Sequence, residues 1–490
     1  MMEQNNLPKL PRGWVWAKIE DVLQTLESGG RPRGGVRNIK EGVPSIGGEH
    51  LLYNGGFDFT NIRYIPREFY EKMAKGKIQK KDILVVKDGA TTGKTAFVAD
   101  SFPFSEAAVN EHVFILRIFE GYMEPKYLFF WMQSPYGQSC VKENFKGTAQ
   151  GGINSYFVKN SSFALPPLPE QHRIVAKIEE LFTKLDAGVE ALKKVKAQLK
   201  RYRQAVLKHA FEGKLTEEWR KAHRGEIEPA SVLLERIKEE RKKAKGKYKE
   251  LPPLDTSNLP ELPEGWVWTR VGEVMEPSKE KVDPTKVEEV PYISLEHIEK
   301  DTGKLLGHGH SSEVRSSKTK FNSGDLLYGK LRPYLNKVHL ANFEGVCSTD
   351  ILVFPKADIP NAFFLYRFMC RDFVNYASQN VSGVNLPRVS FKTLAQFEIA
   401  LPPLLEQHKI VEEIERRLSV ADEVEKIVEQ NLKRAEKLRQ SILKKAFEGK
   451  LVPQDPSDEP AEKLLERIRA EKARHEAEGK KKRKMRSKKS

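Results

Sequence analysis

The run Gly89-Ala90-Thr91-Thr92-Gly93-Lys94-Thr95 comes nearest to a catalytic signature, since glycines, hydroxyls and a lysine together can cradle a phosphate. Such a loop needs four residues between its glycines, so that successive backbone N–H groups wrap the anion, and it must open a helix. Here three intervene, and the following Ala96–Asp100 (AFVAD) reads as a strand. Nucleotide binding is not expected. Methyl transfer would need an Asn/Asp-Pro-Pro-aromatic motif and a glycine-rich cofactor loop, but every Pro-Pro pair sits in LPPL. HExxH, EF-hand and GxSxG patterns are also missing. His172 and His408 each follow a Glu-Gln pair (Glu170-Gln171, Glu406-Gln407) at a predicted helix start, where capping or packing suits them better than acid–base work. No catalytic, metal or cofactor site is expected in this chain.

What remains is binding, and charge permits it. The formal net charge is +16, but residues 479–490 (GKKKRKMRSKKS) hold eight Lys or Arg and no acid, half of that excess. Such a tail reads as solvated and disordered. The other 478 residues are only mildly basic, so charge allows nucleic-acid binding without establishing it. Cys140, Cys347 and Cys370 form no CxxC pair, which points away from disulfides and zinc and toward a reducing cytoplasm. No apolar run reaches the ~18–20 residues that span a membrane, and the first residues lack a secretory pattern.

The elements that must position any binding residues are duplicated. Leu7–Leu23 (LPKLPRGWVWAKIEDVL) returns as Leu259–Met275 (LPELPEGWVWTRVGEVM), matching at 9 of 17 positions. Leu165–Asp186 (LPPLPEQHRIVAKIEELFTKLD) returns as Leu401–Asp422 (LPPLLEQHKIVEEIERRLSVAD), matching at 12 of 22. Arg203–Leu215 (RQAVLKHAFEGKL) returns as Arg439–Leu451 (RQSILKKAFEGKL), and EPASVLLERI from Glu228 echoes EPAEKLLERI from Glu459. The first motif repeats after 252 residues and the next two after 236, so the difference in length lies in 24–164 and 276–400. Those inserts share little sequence. The frame is duplicated and the inserts have diverged, as a scaffold that reads two different targets would require.

Residues 169–212 read as one helix of about 66 Å, opened by Pro169 and Glu170 and stopped by Gly213. Ile174, Ile178, Leu181, Leu185, Gly188, Leu192, Val195, Leu199, Tyr202 and Val206 alternate by four and three, which predicts a heptad seam. The second copy predicts Val411, Ile414, Leu418, Ala421, Val424, Val428, Asn431, Ala435, Leu438 and Ile442, with Asn431 as a buried register-fixing amide. Pairing of the two helices is expected. The inserts read as mixed α/β: strands at Asp82–Val86 and Asp325–Tyr328, helices at Phe129–Met132 and Phe363–Met369.

LPxLPxGWVW, LPPLxEQHxIV, RQxxLxxAFEGKL and EPAxxLLERI, each present twice and in order, resemble the specificity subunits of type I restriction-modification systems along essentially the whole chain. The resemblance implies an α+β protein: two mixed α/β target-recognition domains joined by two long antiparallel helices forming a coiled coil, with pseudo-two-fold symmetry. The boundaries then fall at 1–164 (target-recognition domain 1), 165–215 (spacer helix 1), 216–258 (charged helical linker), 259–400 (target-recognition domain 2), 401–451 (spacer helix 2), 452–478 (C-terminal helix) and 479–490 (disordered basic tail). It further implies a non-catalytic reader of double-stranded DNA, each domain taking half of a bipartite asymmetric site. The helices would dock two methylation subunits, which modify adenine at N6, and through them restriction subunits acting in phage defence. S-adenosylmethionine, ATP and Mg²⁺ are expected on those partners, and no membrane is involved. A self-contained restriction or modification enzyme and a structural coiled-coil adaptor are the competing readings. The candidate DNA contacts lie in glycine- or proline-bearing polar loops: Lys87, Thr91, Thr92, Lys94, Gln150 and Asn154 in the first domain, and Lys330, Arg332, Tyr334, Asn336, Lys337, Asn385 and Arg388 in the second. The duplicated Trp14, Trp16, Trp266 and Trp268 are expected to pack the frame rather than stack on bases.

Overall fold

The computed structural model describes residues 9–37, 39–147, 151–243, 251–286 and 288–487, with the backbone alone from 479. The chain forms two compact units, Met1–Leu192 with Gln430–Ser490, and Lys193–Glu429. Each unit joins one insert to a frame drawn from both halves of the sequence. Among the described residues no helix is long and apolar enough to cross a membrane.

In the first unit the opening motif forms the strand Val15–Lys18, which pairs antiparallel with Ser162–Leu165, Trp16 opposite Ala164. The second unit repeats this: Val267–Arg270 pairs with Glu398–Leu401, Trp268 opposite Ala400. These short ladders pinch each insert at its base. An insert can therefore change length and sequence without moving its exit into the long helix, which is how a conserved frame tolerates divergent contents.

The first insert holds an antiparallel sheet in the order Leu23–Ser28, Val113–Ile118, Ile83–Val86, Thr95–Phe97, and a smaller sheet in which Val43–Ile46 lies between Arg63–Ile65 and Ala108–Val109. The second holds Val338–Leu340, Leu326–Gly329, Ile351–Phe354, and a five-stranded sheet in which Pro291–Ile293 runs parallel to Gly345–Cys347. The predicted strands at 82–86 and 325–328 are central in their sheets, buried on both faces, which explains their unbroken apolar runs. Helix Pro125–Gln133 contains the first predicted apolar stretch, and Asn361–Phe368 covers the second up to Met369, which caps its end.

The long helices run from Leu168 to Phe211 and from Leu404 to Phe447, 44 residues each. Gly213 (φ +71°) and Gly449 (φ +67°) stop them in left-handed turns, with the N–H of Lys214 on the carbonyl of His209 and that of Lys450 on Lys445. In the second unit Lys196 meets Glu429 at 2.7 Å, while Arg203 meets Asp422 at 2.6 Å and Glu425 at 3.0 Å, an antiparallel register. In the first, Arg439 lies 4.1 Å over the Phe182 ring and pairs with Asp186.

The seam departs from the prediction in its second copy. The buried positions there are Ile414, Ala421, Val428, Ala435 and Ile442, one per heptad, with Val411, Leu418 and Val424 half-buried. Asn431 is exposed, and Leu432 beside it is half-buried, so the expected buried amide is corrected to a surface one. The second row of the seam keeps the same seven-residue spacing through Val411, Leu418, Glu425, Leu432 and Arg439, all half-buried, so it passes one residue beyond Asn431 and Leu438. In the first copy Gly188 and Tyr202 are likewise exposed.

The region 216–258 does more than link. Its helix Ala230–Lys243 buries Ala230, Leu233, Leu234 and Ile237 in the core of the second unit, with Trp266 and the helix end at Val206, Leu207 and Ala210. The C-terminal helix Ala461–Ser487 does the same for the first unit: Ala461, Leu464, Leu465 and Ile468 pack with Trp14 and with Ile442, Leu443 and Ala446. Helix persists through 479–487, where the sequence predicts disorder. Lys, Arg and Met are good helix formers, and they fill 480–486 without a break.

Candidate nucleic-acid interface

The frame motifs converge on a buried carboxylate at the start of each long helix. Trp14 donates its indole N–H to Glu170 Oε2 (3.0 Å), and Trp266 donates to Glu406 Oε2 (2.8 Å). Gln171 and Gln407 donate to the carbonyls of Pro166 and Pro402, so LPP and EQ lock one another. His172 is exposed and lies 3.2 Å from Glu124, and His408 is exposed at the matching place. Trp14 and Trp266 are buried and Trp16 and Trp268 half-buried, as frame packing requires. The buried members of this set, Trp14, Glu170 and Gln171 with Trp266, Glu406 and Gln407, hold the base of each insert from within.

In the first insert, residues 87–95 are a hairpin tip between the paired strands Ile83–Val86 and Thr95–Phe97. Thr92 donates its hydroxyl to the Gly89 carbonyl at 2.7 Å, and Gly93 (φ +89°) closes the turn. The strand after the glycines confirms that no helix N-terminus is available to phosphate. The second predicted loop abuts the first: Gly89 N–H reaches the Gly151 carbonyl at 3.1 Å, and Ile153 N–H the Lys87 carbonyl at 2.6 Å. Gly152 is required there, because a Cβ would sit 2.3 Å from the Lys87 oxygen. Thr91, Thr92, Lys87 and Lys94 are half-buried on this tip, and Asn154 is exposed, its Oδ1 accepting from the Tyr156 N–H. Gln150 lies outside the described residues. Sequence reasoning missed Tyr53, 77% exposed, whose ring lies 4.6 Å beneath Lys94 Nζ. Asn54-Gly55-Gly56 marks a turn beside it, but nothing in the sequence places that turn against Lys94.

In the second insert, residues 330–337 and 382–388 also meet. Arg332 N–H reaches the Pro387 carbonyl at 2.8 Å, and Val389 N–H the Lys330 carbonyl at 3.0 Å. Arg332 and Asn336 both adopt left-handed backbone (φ +51° and +47°) around the short turn Pro333–Leu335. Here the side chains divide. Arg332, Tyr334 and Asn385 are exposed and Lys330 half-buried. Asn336 is only 2% exposed, its amide nitrogen 3.2 Å from Asp301 Oδ1, so this candidate base reader is corrected to a buried turn residue. Asn enters left-handed backbone more readily than most residues, which explains its presence at this turn without invoking DNA. Lys337 gives its ammonium to the Leu295 carbonyl, and Arg388 is clamped in a two-point ion pair by Asp350 (2.8 and 3.2 Å). Among the described residues, no His/Cys/Asp/Glu cluster could hold a metal ion.

A family model for the type I restriction modification DNA specificity domain matches residues 11–201 and again 263–434. The specificity subunit of the type I restriction enzyme EcoDI from Escherichia coli is 34% identical over 68% of this chain and 74% of its own. That of EcoKI from E. coli strain K12 is 26% identical over 95% of this chain and 97% of its own. A solved structure described as showing complex assembly and conformational transition of the type I R-M system shares the fold, with a TM-score of 0.60 at 19% identity over 91% of this chain and all of that one. The chain belongs to the family of type I restriction-modification specificity subunits, whose members recognise DNA sequence and carry no catalysis themselves.

Proposed function

We propose that the chain reads a bipartite, asymmetric DNA site, one half through the insert of 1–164 and the other through that of 259–400. The paired helices are the spacer and the docking surface for two methylation subunits, which carry S-adenosylmethionine and methylate adenine at N6. Restriction subunits using ATP and Mg²⁺ join through them. One observation carries this reading: each insert brings two loops distant in sequence onto one tip with cations on it, and the two tips carry different side chains. Identical tips would read a palindrome; unlike ones require two different half-sites. Phosphate contacts from Lys87, Lys94, Lys330 and Arg332 set register, while Thr91, Thr92, Asn154, Tyr334 and Asn385 face base edges. Mapping N6-methyladenine in host DNA with and without this gene tests the reading. A split asymmetric motif that vanishes on deletion is expected; a palindromic motif, or none, overturns it.

A further inference from the structure

Residues 382–388 form a finger whose root is pinned and whose tip is bare. Ser382 and Arg388 exchange both backbone hydrogen bonds (2.8 and 2.9 Å), Leu331 bridges to Arg388, and Asp350 clamps the Arg388 guanidinium. Gly383 (φ +90°) turns the chain at the tip. Beyond that root stand Val384, 99% exposed and the most exposed large apolar residue among those described, and Leu386, 48% exposed. Tyr334, 50% exposed, belongs to the neighbouring turn. A lone exposed apolar residue needs no explanation, but several on one ordered tip do.

The polar groups of this surface narrow what the tip can do. Asn336, Lys337 and Arg388 are engaged internally, whereas Lys330 and Arg332 have no ion-pair partner among the described residues. Two uncompensated cations beside an apolar tip suit a polyanion that also presents apolar matter. Along the major groove the one apolar feature of a base edge is the 5-methyl group of thymine. We propose that Val384 and Leu386 read thymine in the second half-site by packing on its 5-methyl group, while Lys330 and Arg332 hold the flanking phosphates. This rests on the DNA-reading function above and adds the chemical group that is read.

The test uses the full-length chain assembled with methylation subunits and duplexes bearing the mapped site. Each thymine of both half-sites is replaced singly by deoxyuridine, which removes only the methyl group. Wild type should lose about four-fold in affinity at one or two positions of one half-site, the worth of about one buried methyl group. Val384→Ser and Leu386→Ser should lose a similar factor on the natural site and become insensitive to uracil at those positions alone. Because Val384 packs against nothing, its variant should keep the wild-type melting temperature. Absence of thymine from that half-site, uniform insensitivity of wild type to uracil, or full uracil sensitivity in both variants overturns the methyl contact. So does 2-aminopurine unstacking that depends on Val384, which would mean a wedge between base steps. If the complex does not distinguish the mapped site from a scrambled duplex, the DNA-reading function itself fails, a separate result.

Discussion

The two frames repeat the same motifs but solve the same buried-charge problem differently. In the second unit Glu406 receives three donors: Trp266, the Thr216 hydroxyl at 2.6 Å and Arg220 Nε at 3.0 Å. Thr216 and Arg220 follow AFEGKL directly. After the second AFEGKL the matching positions are Val452 and Pro456, so Glu170 keeps only Trp14, and its Oε1 has no hydrogen-bond partner. The Gln pair reverses the pattern. Gln171 Oε1 accepts from the Glu124 N–H, the residue capping Pro125–Gln133. Its counterpart Gln407 Oε1 is unmet, because the residue capping Asn361–Phe368 is Pro360, which has no N–H. Duplication supplied one scaffold; each copy then kept whichever partners its own insert and following segment happened to provide. The motif letters alone do not reveal which copy is fully bonded.

The largest expected effect lies in the second frame. Arg220→Ala leaves the Glu406 carboxylate buried with its cation gone and should destabilise the second unit by about 3 kcal/mol, read by denaturant unfolding or amide exchange in 259–275. Glu170→Gln in the first frame should stay within about 1 kcal/mol of wild type; an equal loss at both sites would erase the contrast. At the reading tips, Lys330→Ala with Arg332→Ala should lower the slope of log affinity against log salt by about 2, leaving the methylated motif unchanged. A changed motif would make these cations base readers. Tyr53→Ala should cost about 1 kcal/mol on the half-site read by the first insert and nothing on the other, measured by methylation rates on duplexes altered in one half.

The smallest effect depends on pH. Burial pushes the Glu170 carboxyl above its ordinary value of 4.5, partly opposed by the Trp14 N–H and by Arg173. A raised folded value means that its contribution to stability is fully present below pH 4.5 and is lost as pH rises through the folded value. The melting temperature of Glu170→Gln relative to wild type should therefore climb between pH 4.5 and 7. A constant gap would show that Glu170 finds a donor in solution.

Much of the architecture was legible. The duplicated motifs mark both frames, both long helices and both inserts, because a helix stopped by glycine and a strand buried on two faces leave periodic apolar signatures. The glycines of GATTGK likewise announce a turn followed by a strand. The tips were legible only as loops. That Asn336 turns inward, that Arg388 is held by Asp350 thirty-eight residues away, and that Tyr53 underlies Lys94 all depend on contacts between segments far apart in the chain.

By itself, the sequence determined a frame used twice and two unlike inserts, since both follow from local pattern or from repetition. Only the tertiary structure decided which half supplies each frame's partners: Ala230–Lys243 closes the second unit and the C-terminal helix closes the first. It also decided which side chains on each tip are already spent. Both are questions of which distant groups meet, and hydrogen bonds and burial are satisfied by proximity in space, which no local pattern encodes.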